Sequence, residues 1–292
     1  MAARKPAVAG QFYPGSEKQC RSEIADCLAE RPVTVKLPEK IAAGIVPHAG
    51  WTFSGDLAAM VFSAIEKANK TVNTFVIFGA VHRYFDSTAA VYDKGSWQTP
   101  LGEIKIDEEF AAEIIKKSSS AKSNQDAHRY EHSIEVQVPF IQYLFKDAKI
   151  VPILTPPAGF VVQLGADIAE CIKSAGDKKI VCIGSTDLTH YGPSYGFNPQ
   201  GSGPSGIKWA KEVNDKAFID LALSLQAEKV LTGSLEKGNA CGPGAAAAAI
   251  AVAKALGKTQ GVLLAHTHSN EVMEKKFGQT SNESVGYAAI VY

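Results

Sequence analysis

Short apolar runs, each cut off by glycine, proline or histidine and followed by a helix-like stretch, constrain this chain more than any other feature. Ile41 to Val46 stops at Pro47-His48-Ala49-Gly50, ahead of an apolar-periodic stretch from Leu57 to Ile65 that Ser54 is placed to cap. Thr74-Phe75-Val76-Ile77-Phe78 gives way to Gly79-Ala80-Val81-His82, and Lys149 to Leu154 is closed by Thr155-Pro156-Pro157 before a helix from Leu164 to Ser174. Ile180 to Gly184 leads directly to Asp187 and His190. Such brief, continuously apolar runs suit strands covered on both faces. Their alternation with helices predicts an α/β fold with a central mixed, largely parallel sheet flanked by helices.

The remaining segments fit that frame. Ser87 to Tyr92 repeats the β-like composition, Glu103-Ile104-Lys105-Ile106 alternates as a strand, and Asp107 opens an Ala/Glu/Lys-rich helix. After a polar linker from Ser118 to Asp126, Ser133 to Phe145 reads as a helix, with Ser133 as its cap. Tyr191 to Ile207, rich in Gly, Pro and Ser, is the longest expected loop and a lid candidate. Lys208 to Leu225 is expected to be helical. Gly244 to Leu256 is an alanine-rich helix narrow enough to pack closely on a sheet, with strands near Gln260 to His266 and Gly286 to Tyr292. No internal repeat divides the chain, and 292 residues suit one large α/β domain or two fused halves.

Several function classes are excluded by composition. No segment approaches the ~18 uncharged apolar residues of a membrane span. Lys+Arg and Asp+Glu balance at 30 each without a dense basic block, so there is no footprint for nucleic acid or an anionic membrane surface. Met1 to Pro6 carries positive charge but no apolar stretch follows, which predicts a cytoplasmic protein without a signal peptide. Cysteines at 20, 27, 171, 182 and 241 form an odd set lacking a C-x-x-C pair, and they read as reduced thiols.

The chemistry-bearing residues fall at strand ends, where open α/β sheets present ligand-binding groups. His48 and His82 each follow an apolar run, and imidazole nitrogen suits Fe, Cu, Zn or Ni, although a capped core histidine has the same local sequence. Cys241 precedes the alanine-rich helix, whose N-terminus is expected to lower the thiol pKa; the alternative is a small buried hydrophobe. Asp187 and His190 have the spacing of neighbours on one helical turn, so the carboxylate is expected to orient the imidazole for general acid/base work. In Glu131-His132-Ser133-Ile134-Glu135, His132 and Glu135 are candidates for holding substrate or a supporting hydrogen bond. His128, His266 and His268 are expected to be mostly structural. Neither G-x-x-x-x-G-K-[ST] nor G-x-G-x-x-G occurs, so nucleotide binding has no motif support.

Arg4-Lys5-Pro6-Ala7-Val8-Ala9-Gly10-Gln11-Phe12-Tyr13-Pro14 resembles the opening signature of the Memo family. So do Pro47-His48-Ala49-Gly50, Thr99-Pro100-Leu101-Gly102-Glu103, Glu131-His132-Ser133-Ile134-Glu135 with Val138-Pro139-Phe140, Thr186-Asp187-Leu188-Thr189-His190-Tyr191 and Ala240-Cys241-Gly242. The resemblance runs in order to Gly286-Tyr287 and implies a single domain over residues 1–292 with a class III extradiol dioxygenase-like fold. It implies His48, His82 and Cys241 as metal ligands, with Asp187 and His190 beside them. Two departures stand out: Gly79-Ala80-Val81-His82 lacks the proline usual before the second ligand, and Arg83-Tyr84 is not the usual continuation.

The related dioxygenases carry a carboxylate where this chain has Cys241. A thiolate softens the site, so Fe(II) or Cu is expected ahead of Zn. The leading expectation is a mononuclear redox enzyme acting on a small substrate. The resemblance also implies, as an alternative, an adaptor binding phosphorylated peptides in the same cleft, and the same donors would suit a zinc-dependent hydrolase. The resemblance also implies a pathway link to radical SAM proteins.

Overall fold

Strands that are buried along their whole length organise the protein, as the apolar runs require. The computed structural model describes residues 3–83 and 87–292, so Met1 and Tyr84 of the sequence readings lie outside the described residues. In chain order the elements are α1 (Glu17–Glu30), β1 (Ala43–Val46), α2 (Trp51–Asn69), β2 (Thr74–Gly79), β3 (Ala89–Val91), β4 (Ser96–Thr99) and β5 (Gly102–Lys105). There follow α3 (Glu108–Lys117), β6 (Ala121–Ser123), α4 (Val138–Leu144), β7 (Lys149–Leu154), α5 (Phe160–Ser174), β8 (Ile180–Ser185) and β9 (His190–Tyr191). The last third holds α6 (Pro204–Trp209), α7 (Lys216–Leu223), α8 (Ala227–Lys237), α9 (Pro243–Ala255), β10 (Val262–His268), α10 (Ser269–Phe277) and β11 (Ser284–Val291). Among the described residues no helix is long and apolar enough to cross a membrane.

The main sheet runs β10-β11-β1-β8-β2-β7-β3-β6, with β9 on β11. Its centre, β1, β8, β2 and β7, is parallel, with Ile45 opposite Gly184, and Ile77 opposite both Ile183 and Pro152. β11 and β3 flank this centre antiparallel. Four parallel neighbours finish on one edge of the sheet, so the residues that follow them meet there. His48, His82 and Asp187 follow β1, β2 and β8 in this way.

One face packs against α3, α5, α7, α8 and α9, the other against α1, α2 and α4. The alanines of α9 let it lie unusually close to its neighbours. A Cβ on Gly165 of α5 would stand 2.5 Å from the Ala248 carbonyl oxygen, and one on Gly184 of β8 would stand 2.6 Å from that of Ala245. The start of α9, and Cys241 just before it, is thereby held against the sheet.

Several local expectations are corrected. α2 begins at Trp51 with Gly50 as N-cap, so Ser54 lies inside the first turn and donates to the Ala49 carbonyl instead of capping. Only Val138–Leu144 of the expected 133–145 helix is α-helical, preceded by a 3-10 turn at Glu135–Gln137, and the Ser133 hydroxyl donates to Ala80. The loop expected to extend to Ile207 ends earlier, because Pro204 opens α6. The expected helix over 208–225 is interrupted by a π-helical turn at Ala210–Asp215. Asp107 does cap α3, accepting from the Phe110 N–H.

Candidate metal centre

His48 is buried, and its tautomer follows from one hydroxyl. Ser185 Oγ donates its single proton to the Ser133 carbonyl at 2.7 Å, so it must accept from His48 Nδ1 at 3.1 Å. Gln137 Nε2 donates to the same hydroxyl and to the Pro47 carbonyl at 2.7 Å, fixing the backbone that carries the imidazole. His48 Nε2 therefore presents its lone pair to the cavity. Burial, reinforced by the charge of His82, lowers the pKa to about 3, which keeps the ring neutral and able to ligate.

His82 is oriented by Glu131 in the same sense. Its Nδ1 lies 2.9 Å from Glu131 Oε1, and its backbone N–H donates to Oε2 at 3.0 Å. The N–H groups of His132 and Ser133 also donate to Glu131. Burial alone would raise the Glu131 pKa, but the His82 ring and these peptide donors hold it well below the usual carboxylate range. Burial would depress His82, and the Glu131 hydrogen bond and charge reverse that into a net rise. In its neutral form His82 keeps the proton on Nδ1 and frees Nε2. A carboxylate behind a ligating imidazole is a recurrent way of fixing its tautomer and raising its basicity.

His132 stacks on His82 with ring centroids 4.6 Å apart, and burial followed by the His48 charge lowers its pKa to about 4. Donor atoms of His48, His82 and His132 all lie within 4.8 Å of one another. A second such triplet is His48, Asp187 and Cys241. The His48–His82–Cys241 set implied by the family resemblance is thus divided between two triplets that share His48.

Cys241 Sγ lies 3.1 Å from His48 Nε2 and accepts from the Asp187 N–H at 3.3 Å. The expectation of a thiol pKa lowered by α9 is overturned. Burial, then the Asp187 charge, pushes it up. A bound cation would reverse that balance and favour the thiolate.

Asp187 and His190 share the cavity wall without sharing a helical turn. Residues 186–189 form no helix and are joined to β11, with the Leu188 N–H donating to Gly286 O at 2.7 Å. Asp187 Oδ1 accepts from the His48 N–H at 2.7 Å and makes no hydrogen bond to the His190 ring, so the expected orienting contact is replaced by charge acting through space. Burial raises the Asp187 pKa and lowers that of His190. His190 Nε2 is a buried polar atom without a partner.

The structure removes Glu135 from the candidate substrate site. Its buried carboxylate pairs with Arg4 at 2.8 Å and accepts from the Ala7 and Val8 N–H groups and the Tyr13 hydroxyl. His132 does line the cavity. His128 is buried against Ala90 O, His266 pairs with Asp215, and His268 caps α10, which fits their structural reading. Glu131, Ser185 and Gln137 carry supporting roles that sequence reasoning did not assign. The one available signal was the position of Glu131 directly before His132.

His48, His82, His132, Asp187 and His190 line a cavity of about 500 Å³ together with Phe12, Phe53, Tyr195, Met273, Val285 and Tyr287. The donor set fits a transition-metal ion: two imidazoles with Nδ1 committed and Nε2 free, a third imidazole, a thiol and a carboxylate within reach. A mixed α/β sheet bearing such residues at its parallel strand ends has the class III extradiol dioxygenase-like architecture. Within that class, the Memo-like protein family model matches residues 4–291. Similar proteins include MEMO1 family proteins of Thermococcus onnurineus, 40% identical over 99% of both chains, and of Pyrococcus abyssi, 38% identical over 99% of this chain and 98% of the other. One from Methanococcoides burtonii is 34% identical over 99% of each. The chain belongs to the Memo family.

Proposed function

We propose that this protein binds one transition-metal ion, iron or copper ahead of zinc, and carries out dioxygenase- or oxidase-like chemistry on a small substrate in the cavity. The observation that carries the reading is His48 Nε2, neutral and unprotonated, between other imidazoles and a thiol 3.1 Å away. Following the family resemblance, His48, His82 and Cys241 would hold the ion; this requires His82 and Cys241 to close on it, because His82 groups with His48 and His132, and Cys241 with His48 and Asp187. The ion would supply Lewis acidity and one-electron exchange. The cysteine sulfur weights the choice toward softer ions.

The chain's own residues supply the remainder. His190, neutral near pH 7 because its pKa is lowered, would take or give a proton at Nε2, and Asp187 would stabilise the protonated ring through space. Phe12, Phe53, Tyr195 and Tyr287 would exclude water around the substrate. No Lys or Arg lines the cavity among the described residues, which favours turnover over capture of a phosphorylated peptide.

The test is anaerobic purification with elemental analysis, followed by oxygen uptake with Fe(II) and Cu(I) supplied separately over a catechol and thiol panel. About one equivalent of metal in wild type, lost in His48→Ala and Cys241→Ala while unfolding stays cooperative, supports the ligand set. Full metal in both variants refutes it. Absence of oxygen uptake across the panel counts against the redox assignment.

A further inference from the structure

Two elements, the π-helical turn and β11, place three hydrogen bonds on one residue that no chemistry yet uses. Thr189 sits between Asp187 and His190. Its N–H donates to Asp215 Oδ1 at 3.0 Å, its Oγ1 accepts from Asn214 Nδ2 at 3.1 Å, and its carbonyl accepts from the Gly286 N–H at 3.0 Å. Asn214 and Asp215 are both buried and both belong to the π-helical turn between α6 and α7. Such turns cost helix regularity and occur frequently at functional sites.

The carboxylate is itself held in place. His266 Nε2 lies 3.0 Å from Asp215 Oδ2. A Cβ on Gly286 would stand 2.1 Å from the same oxygen, so Asp215 reaches Thr189 only because position 286 is glycine. Asn214 Nδ2 also donates to Lys237 O, and Asn239 Nδ2 donates to Asn214 O, both at 3.1 Å. This ties the turn to the segment that leads into Cys241.

We propose that Asp215 and Asn214 are positioning residues: they clamp Thr189 and thereby set the separation of Asp187 and His190 at the cavity wall. The inference rests on the proton-handling role given to His190 above. It explains how a non-helical segment, without a hydrogen bond between its two functional side chains, holds them in fixed relation. It also gives a function to a buried carboxylate that faces neither the metal donors nor the cavity.

The experiment is an NMR titration of the His190 ring in the full-length, metal-free protein. Asp187→Asn should lower the His190 pKa in an otherwise wild-type chain, because the Asp187 charge raises it. The size of that response measures the spacing of the pair. In Asp215→Ala the response should shrink by at least about half, as coupling between two groups is lost when the element fixing them is loosened. Asp215→Asn keeps an oxygen for the Thr189 N–H and should restore it. Gly286→Ala, which displaces the carboxylate from the opposite side, should reproduce the Asp215→Ala result. If Asp215→Ala does not fold, Asn214→Ala, which removes only one bond to Thr189, should show a smaller loss in the same direction. A full Asp187 response in the folded Asp215→Ala or, failing that, in both Asn214→Ala and Gly286→Ala would overturn the proposal. Metal content is not read in this titration, so loss of the ligand assignment and loss of the clamp are separate outcomes.

Discussion

Replacing Glu131 by glutamine tests whether the histidine centre depends on the charge behind it. With the amide oxygen at the Oε1 position, acceptors survive for His82 Nδ1, His132 N–H and Ser133 N–H. The amide nitrogen then faces the His82 N–H, which loses its acceptor. One hydrogen bond to a charged group is worth about 1.5–3 kcal/mol, and the orphaned donor is only partly buried, so stability should fall toward the lower end. For metal, loss of a carboxylate partner behind a ligating imidazole typically costs about 10–100-fold in affinity, or about 1.4–2.7 kcal/mol. The pH dependence gives a second check. His82 has a folded pKa above 6.5, so its contribution is complete below that value and is lost as pH rises through the folded pKa. Glu131 has a folded pKa below 4.5, so its contribution is present above that value and is lost as pH falls through the folded pKa. The wild-type advantage over Glu131→Gln should therefore be greatest between pH 4.5 and 6.5. Chelator competition with Fe(II) and urea unfolding across pH measure the two effects. Affinity within twofold of wild type, together with a pH-independent stability difference, would refute the reasoning.

Three further outcomes follow from buried groups elsewhere. His128, fully buried with its pKa lowered to about 3, binds a proton more readily when unfolded, so its contribution is present above 6.5 and fades as pH falls. Between pH 6.5 and 5 this costs about 2 kcal/mol, so His128→Gln should show a shallower loss in urea unfolding, and equal slopes would contradict the assignment. Arg4→Ala should destabilise by about 3–5 kcal/mol, because it strands the buried Glu135 carboxylate; a loss below about 1 kcal/mol in denaturant titration would rule that out. Gly165→Ala should cost about 1–3 kcal/mol, since the new methyl would enter the Ala248 carbonyl and Ala251, and an unchanged thermal midpoint would show that α5 and α9 can separate freely.

The strands at the centre of the fold were legible because they are buried on both faces. Thr74–Gly79 and Ile180–Ser185 need no polar alternation, and their endings carry the glycines and histidines that mark a sheet edge. The meeting of His48, His82, Asp187 and His190 at one cavity follows from the same strand endings, whereas Cys241, between α8 and α9, was singled out by its place before the alanine-rich helix and by the family resemblance. The supporting hydrogen bonds were not: Glu131 meets His82 across 49 residues, and Glu135 meets Arg4 across 131, separations no local pattern encodes. The relation of Asp187 to His190 differs from the expected one because i, i+3 spacing implies adjacency only if the backbone is helical, and here residues 186–189 form no helix and are bonded to β11. The rise in the Cys241 pKa reflects the Asp187 carboxylate and burial, both products of tertiary structure.

His48 enters both donor triplets through a single atom. Its other ring nitrogen keeps its hydrogen and donates it to Ser185, leaving one lone pair for the whole centre. An sp² nitrogen can satisfy only one ion with that pair. Two ions could therefore not both use His48, and an ion bound through it would have the remaining donors of both triplets on either side. For such an ion, whether sulfur or imidazole completed the coordination would follow from its own polarisability.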